Sequence, residues 1–180
     1  ACVVKQLKIP NSATSIGEGA FSELGGIKTI KLPSKLKEIG DFTFSDCYDL
    51  TNIIIPNGVT NIPHYAFKGC YKLSSITISK NVTDIDEGAF ALCTSLKKIT
   101  LPEKLGGIGK YVFDGCESLT DIVIPSGVTG VSSGAFDGCN RLDKVYFEGN
   151  APFISEGNHR DVGSFAGVTA TAYYPENDPT

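Results

Sequence analysis

Six phenylalanines recur along this 180-residue chain at one fixed 23-residue interval, with no insertion among them. They are Phe21, Phe44, Phe67, Phe90, Phe113 and Phe136. One column of prolines and three columns of aliphatic residues keep the same step, and Ser79 is the one departure in the proline column. A strict period of roughly 20–50 residues is typical of solenoids, in which each repeat forms one coil stacked on its neighbours. The sequence therefore predicts a single elongated repeat domain.

Each repeat has the residues for a short strand, a turn and a return wall. In the third repeat Ile53 and Ile55 alternate inward along a strand, and Pro56 ends it because proline supplies no backbone donor. The small residue Ala66 and the core Phe67 then predict a compact turn or a single helical turn. We expect parallel strands near residues 29–32, 52–55, 75–78, 98–101, 121–124 and 144–147.

The repeat changes at its C-terminal end. The spacing from Phe136 to Phe165 exceeds the period by six, and we place the six extra residues in the polar run 156–163. A last strand is expected near 168–174. A degenerate final repeat of this kind is typical of the caps that cover the last coil of a solenoid.

Two segments follow from this division, a repeat array over residues 1–147 and a C-terminal capping repeat with the start of a linker over residues 148–180. At the other end, counting back by one period places Ala1 in register with Leu24. The chain therefore starts within a repeat, which would leave an apolar edge without a polar cap. We expect a fragment of a larger protein, preceded by further repeats or by a capping segment.

Five of the six cysteines occupy one repeat position, which the first repeat fills with Leu24. A position that accepts leucine or cysteine indicates a buried apolar slot. Equivalent side chains on stacked coils point in parallel and lie at least ~4.8 Å apart, more than the ~3.8 Å between the Cβ atoms of a typical disulfide. We expect a reduced ladder, with a disulfide or metal role as the alternative, and an exposed, out-of-register Cys2. The ladder comprises Cys47, Cys70, Cys93, Cys116 and Cys139.

The repeat unit, (I/L)P-x2-(V/L)-x2-I-x3-(A/T/V)F-x2-C-x2-L-x2-I, resembles the BspA-like, or Treponema pallidum-type, leucine-rich repeat over about residues 4–147. The resemblance implies a solenoid of about six 23-residue coils. A short parallel sheet would line its concave face, turns or short helical turns would form the other side, and a degenerate repeat would cap the C terminus. Members of this family are mostly large secreted or surface-anchored bacterial proteins, and the characterised ones act in adhesion. The family has no catalytic motif to transfer.

The sequence contains little that indicates catalysis or a cofactor. His64 falls in a surface turn, and His159 lies beside Arg160 and Asp161 in the polar run near the C terminus. The latter three favour a solvated cap loop over a small metal or ligand site. No hydrolase, zinc-protease or nucleotide-binding motif is present, and no apolar run approaches the ~18 residues of a membrane span. We therefore predict no enzyme activity, cofactor, metal or transmembrane segment.

The residues that face away from the core along the strands form three columns with seven lysines and two aspartates, a balance of +5. The whole chain carries −4, so the remainder carries −9. This segregation favours docking of an acidic extracellular protein or glycan, although lysines also simply keep exposed strands soluble. Nucleic acid is not expected, because the columns lack arginine and the pI is about 5.2. The candidate binding residues are Lys28, Lys31, Asn52, Ile54, Thr77, Lys97, Lys98, Thr100, Val123 and Tyr146.

Two functions remain open from the sequence. The favoured one is a secreted or cell-surface bacterial binding and adhesion module, acting as a monomer through its strand face. The alternative is a structural spacer or accessory domain within a larger multidomain surface protein.

Overall fold

The structure, a computed structural model, describes residues 7–157 and 163–175 together with the backbone of Cys2–Val3. Within these residues the chain forms short β-strands and no helix. The strands are β1 (Cys2–Val3), β2 (Ser15–Ile16), β3 (Leu24–Gly25), β4 (Thr29–Ile30), β5 (Glu38–Ile39), β6 (Asn52–Ile54), β7 (Asn61–Ile62), β8 (Ser75–Thr77), β9 (Asp84–Ile85), β10 (Asp121–Ile124), β11 (Gly130–Val131), β12 (Lys144–Phe147), β13 (Phe153–Ile154) and β14 (Thr171–Tyr173).

One side of the solenoid carries two three-stranded parallel sheets, ordered β4-β6-β8 and β10-β12-β14. Thr29 lies opposite Asn52 and Asn52 opposite Ser75, so neighbouring coils are displaced by one period of the repeat. The outward residues of these six strands, with those of the segment 97–100 between the two sheets, are called the strand face below. The parallel pairing and the register confirm the predicted leucine-rich repeat solenoid.

The other two sides of each coil are a return wall and a turn. The return wall is held by the parallel pairs β2-β5, β7-β9 and β11-β13. On the turn side the backbone N–H of each core phenylalanine donates to a carbonyl of the next coil, as from Phe67 to Ala89 at 2.8 Å and from Phe90 to Val112 at 2.9 Å. The turn side is therefore a continuous ladder of hydrogen bonds along the stack.

A column of stacked phenylalanines fills the core. The rings of Phe44, Phe67 and Phe90 are fully buried, and successive ring centroids in this stretch are 5.2 and 5.5 Å apart. Phe165 takes the last place in the column, 4.8 Å from Phe136. Stability must come from such contacts between neighbouring coils, because a single coil buries little on its own.

The predicted strand at 98–101 is wrong. Ile99 and Leu101 face the core and are buried as expected. Among the residues that the structure describes, however, no backbone hydrogen bond joins 98–101 to either neighbouring coil. Ile76 and Ile78 on the adjacent coil are only half-buried. The alternation of apolar residues reports which side chains point inward, and it does not ensure that two backbones approach closely enough to pair.

The predicted turns are confirmed, but the described residues include no helical turn. The turn of each of the six regular repeats instead contains two positions with left-handed backbone, for example Gly19 at φ 59° and Glu23 at φ 58°. A left-handed residue stops helical winding, because the i to i+4 hydrogen bonds require right-handed dihedrals. This is the physical reason that the turns do not wind into helix.

Two segments of the C-terminal coil differ in length from those of the regular coils. Gly130 still lies opposite Phe153, one full period on, so the six extra residues fall between β13 and Phe165. Lys144 lies opposite Thr171, a 27-residue step, so the chain between Phe165 and β14 is shorter than in other coils. The last strand is confirmed, over Thr171–Tyr173.

The first pairing differs from the expected register. Cys2, not Ala1, lies opposite Leu24. The spacing at this end is thus one residue shorter than the period. The side chain of Cys2, and with it the predicted exposure, lies outside the part of the chain that the structure describes.

Candidate functional site

All ten residues predicted for binding are exposed. Eight of them lie on the strand face, and Lys28 and Lys31 flank it on either side of β4. The pleat puts alternate residues on opposite sides of a strand, so β12 buries Val145 and Phe147 while Lys144 and Tyr146 face outward. Three of the ten are large apolar side chains that remain in contact with solvent. Their exposed fractions are 66% for Ile54, 40% for Val123 and 37% for Tyr146.

The break in pairing between β8 and β10 divides the ten residues into two groups. Each group lies on or next to a different three-stranded sheet, since the sheet β4-β6-β8 ends at β8 and the next starts at β10. Lys28 and Lys97 are three coils apart, about 15 Å at ~4.8 Å per coil. The N-terminal group is Lys28, Lys31, Asn52, Ile54 and Thr77, and the C-terminal group is Lys97, Lys98, Thr100, Val123 and Tyr146.

The C-terminal group lies beside a groove with a volume of about 450 Å³. Lys98 and Tyr146, two of the predicted residues, line it directly. The groove also brings in residues that the sequence prediction did not select, and it crosses three successive coils. These further residues are Thr120, Asp121, Arg141, Asp143 and Lys144.

Asp121 organises the charge of the groove. Its Oδ2 atom accepts a hydrogen bond from the Thr120 hydroxyl at 2.8 Å and lies 3.2 Å from the Lys98 Nζ atom. The Thr120 hydrogen bond first, and then Lys98 and Lys144, hold the pKa of the Asp121 carboxyl below its ordinary value. Asp121 is therefore ionised at neutral pH, and it neutralises part of the charge of Lys98.

Arg141 is the cation of the groove that sequence reasoning missed. It is exposed and has no hydrogen-bond or ion-pair partner among the described residues. It lies in the turn just before Leu142, outside the three columns from which the candidates were drawn. Only the three-dimensional course of that turn brings the guanidinium to the groove.

Tyr173 is the second missed residue. It pairs with Tyr146 across β12 and β14, and the two rings stack with centroids 4.8 Å apart. The apolar character of 168–174 indicated a strand, but the 27-residue step hides which of its residues face outward. A fixed 23-residue period could not have assigned Tyr173 to this row.

A different acidic residue, Asp49, is influenced by the charge of Lys28 in the N-terminal group. Asp49 accepts hydrogen bonds from Lys72 Nζ at 2.7 Å and from the Gly26 N–H at 2.9 Å. The Lys72 hydrogen bond first, then Gly26 and the charge of Lys28, hold the pKa of the Asp49 carboxyl below its ordinary value. Part of the positive charge of this group is therefore also compensated locally.

The repeats match a known family of bacterial proteins. Residues 1–105 and 60–165 match the family described as the BspA type leucine rich repeat region, with six copies of the repeat. These two overlapping ranges cover more than half of the chain. The chain belongs to this family. The membership confirms the resemblance that the repeat unit indicated.

Solved structures of bacterial proteins share the BspA-type fold. A leucine rich cell surface protein from Faecalibacterium prausnitzii A2-165 is 28% identical over 93% of this chain and 53% of its own, with a TM-score of 0.66. A leucine rich repeat protein of T. pallidum is 31% identical over 77% of this chain and 64% of its own, with a TM-score of 0.70. A third, from Bacteroides ovatus ATCC 8483, is 31% identical over 77% and 42%, with a TM-score of 0.66.

This BspA-type chain thus spans between 42% and 64% of the length of these three relatives. A search of proteins with curated descriptions found no match. Within the ranges that the structure describes, no helix could cross a membrane.

The ladder cysteines of the BspA-type array are free and buried, as predicted. Burial raises the pKa of Cys47 to about 11 and that of Cys139 to about 12, and it raises the pKa values of the three between them well above the usual range. A buried thiol with a raised pKa carries little of the reactive thiolate. The ladder is therefore structural, and it offers no nucleophile.

The histidine predictions are resolved in part. His64 is exposed in its turn, where its backbone N–H donates to Asp41 Oδ1 at 3.1 Å. His159, Arg160 and Asp161 lie outside the described residues. Among the residues that are described, no group of three or more His, Cys, Asp or Glu side chains could hold a metal ion.

Proposed function

We propose that this chain is an extracellular bacterial binding module that engages an acidic macromolecule through its strand face. The observation that carries the proposal is the segregation of charge. The described columns of the face hold six exposed lysines, whereas the whole chain carries −4. A rigid array of short strands that presents cations from an acidic body is suited to electrostatic docking of an acidic partner.

The cellular location of a relative and the general role of leucine-rich repeats support this proposal. The Faecalibacterium prausnitzii relative is a cell surface protein, and leucine-rich repeats generally serve in protein interaction. We place this chain outside the cell on that basis. We also propose that it is not an enzyme, since the buried thiols and exposed His64 supply no activated group.

A charge-reversal experiment tests the strand face. Lys97→Glu with Lys98→Glu is compared with the control Lys80→Glu with Lys104→Glu, which changes the net charge equally at exposed turn positions beyond the strand ends. The probes are polyglutamate, as an acidic polypeptide, and heparin, as an acidic glycan, each immobilised on a sensor surface. We expect at least tenfold weaker binding for the face variant and little change for the control.

The fold should survive both double variants. All four lysines are exposed, and the one ion pair that is lost, Lys98 with Asp121, is a surface pair worth roughly 0–1 kcal/mol. Thermal unfolding checks this directly. Equal binding by the two variants would show that net charge, not the strand face, determines capture. Failure of the wild type to bind either probe would favour the spacer function instead.

A further inference from the structure

At one outward position of the strand face, the side chains become larger towards the C-terminal end. Three short side chains, Thr77, Thr100 and Val123, are followed on the next two coils by Tyr146 and Tyr173. The two tyrosine rings are nearly parallel, at 19°, with centroids 4.8 Å apart. The rings therefore form a wall across the face, at the end of the groove described above.

The stacking direction determines which ring surface is free. The centroid separation equals the ~4.8 Å spacing of adjacent strands. The planes of the two rings are therefore roughly perpendicular to the direction in which the coils stack. One face of Tyr146 is covered by Tyr173. Its other face is on the side of Val123, the shorter in-register neighbour on β10, and the Tyr146 side chain as a whole is 37% exposed. Tyr146 thus presents a flat apolar surface to the groove, and Tyr173 supports it from behind.

The polar groups of the groove carry both signs. Arg141 and Lys144 are exposed cations, whereas Asp121 and Asp143 are acceptors on the same face. The side chains of an acidic peptide carry carboxylates but no hydroxyls, so they would offer Asp121 and Asp143 no hydrogen-bond donor. A ligand with one acidic group and several hydroxyls can instead satisfy the cations and the carboxylates together.

We propose that this groove binds a hexuronic acid unit of an acidic glycan. The apolar C–H face of the sugar ring packs on the free face of Tyr146. The sugar carboxylate receives the forked hydrogen bonds of the Arg141 guanidinium, a geometry that arginine favours. Ring hydroxyls donate to Asp121 and Asp143. This inference rests on the proposed function and selects a glycan over an acidic protein as the partner.

The extent of the groove fits a short oligosaccharide. From the coil of Lys98 to the coil of Tyr146 the groove crosses two coil steps, about 10 Å at ~4.8 Å per step. Lys98 lies at the far end, already paired with Asp121. We therefore assign the end next to Tyr146 to the acidic sugar and the remaining length to its neighbour in the glycan.

Binding of oligogalacturonate, a chain of hexuronic acids, is the direct test, measured by calorimetry with neutral oligogalactose as the comparison. We expect Tyr146→Leu, which keeps apolar bulk but removes the flat ring, to weaken binding at least tenfold. The matched control is Tyr71→Leu. Tyr71 is a similarly exposed ring, at 41% against 37% for Tyr146, and it stacks on Tyr48 in another surface pair with centroids 5.7 Å apart. Tyr146→Phe should bind like the wild type.

Arg141→Gln tests recognition of the carboxylate. It should weaken binding of oligogalacturonate about tenfold. Binding of neutral oligogalactose, which we expect to be weaker in the wild type, should stay unchanged. Unaltered binding by Tyr146→Leu, or a wild type that captures polyglutamate but not oligogalacturonate, would overturn the glycan inference and leave the basic strand face standing. Absence of binding to oligogalacturonate, polyglutamate and heparin alike would overturn both proposals.

Discussion

Each ladder cysteine has a hydrogen-bonding role in addition to filling space. The Cys93 Sγ atom donates to the Phe67 carbonyl at 3.3 Å, and Cys70 donates to the Phe44 carbonyl at 3.2 Å. Every thiol of the ladder makes the same bond to the phenylalanine carbonyl of the preceding coil. A thiol is both small and a weak donor, a combination that alanine, valine and leucine lack. This bond explains why cysteine recurs at the position.

The raised thiol pKa values predict a loss of stability at high pH. The pKa of Cys47 rises from 9.0 to about 11 on folding, so the folded state holds the proton more tightly than the unfolded state does. The stabilisation is complete below pH 9 and is lost as the pH rises towards 11. At pH 11 this one group contributes a loss of roughly 2 kcal/mol. Urea unfolding between pH 8 and pH 11 measures the effect.

Cys47→Val is the control for this prediction, because Val168 occupies the equivalent position of the last coil, where its N–H donates to the Phe165 carbonyl at 3.1 Å. The variant removes one titrating group, so its free energy of unfolding should fall less steeply with pH than that of the wild type. Only the slope is compared, which separates titration from any packing cost of valine. Equal slopes would show that Cys47 does not titrate differently on folding.

The sequence allowed prediction of residue columns but not of the backbone at every position. Phe42, Tyr65 and Tyr111 adopt φ values of 54–55° at a turn position that Gly19 and Gly88 fill in other coils. Left-handed backbone costs bulky residues about 1–2 kcal/mol each, so an aromatic residue is not expected to adopt it. The sequence therefore did not predict left-handed backbone at these three positions. Stacking of Phe42 on Tyr65, with centroids 5.2 Å apart, offsets part of that cost.

At the scale of elements, the strand face is interrupted at one coil. Strands β6 and β12 pair on both sides, whereas residues 98–101 make no backbone hydrogen bond to their neighbours within the described chain. On the turn side, the ladder of backbone hydrogen bonds continues through the same coils, as from Phe90 N to Val112 O at 2.9 Å. The coil that carries Lys97 and Lys98 is therefore attached mainly through its turn, its return wall and its core residues. On the strand side the Thr120 N–H donates to the Lys97 carbonyl at 3.3 Å.

Hydrogen exchange should detect this interruption. Amides without a hydrogen-bond partner exchange after smaller fluctuations than amides in a ladder. We expect the amides of 98–101 to exchange on the order of tenfold faster than those of Asn52–Ile54 and Lys144–Phe147, the central strands of the two sheets. Peptide-level exchange measured by mass spectrometry compares the three segments in one sample. Equal protection would mean that the segment pairs with its neighbours in solution.

The contrast shows what the apolar pattern can predict about elements. Five of the six expected strands occur at or within their predicted bounds, because a buried alternation requires an extended chain. Pairing of 98–101 and the 27-residue step before β14 depend on how coils approach one another. Those distances are set by packing along the stack, which a single repeat does not encode.

At the scale of the whole molecule, charge is distributed unevenly along and around the solenoid. The ten candidate residues were predictable as exposed, because the period fixes which side chains face outward. The groove was not, because Arg141 comes from a turn and Tyr173 from a coil of different length. Local pairing with Asp121 and Asp49 also reduces the effective charge of the face below its lysine count.

The salt dependence of association separates a steering face from an evenly charged body. A chain of net charge −4 with evenly spread charge would be repelled by polyglutamate, and added salt would speed its association by screening that repulsion. If the basic strand face meets the partner first, the salt dependence of the association rate has the opposite sign. Association should then slow as NaCl rises from about 0.05 M to 0.5 M. In Lys97→Glu with Lys98→Glu, the described columns of the face lose two of their six lysines and gain two carboxylates, so the slope should flatten or change sign. Association rates on a polyglutamate sensor surface measure both slopes, and a wild-type rate that increases with salt would contradict steering by the strand face.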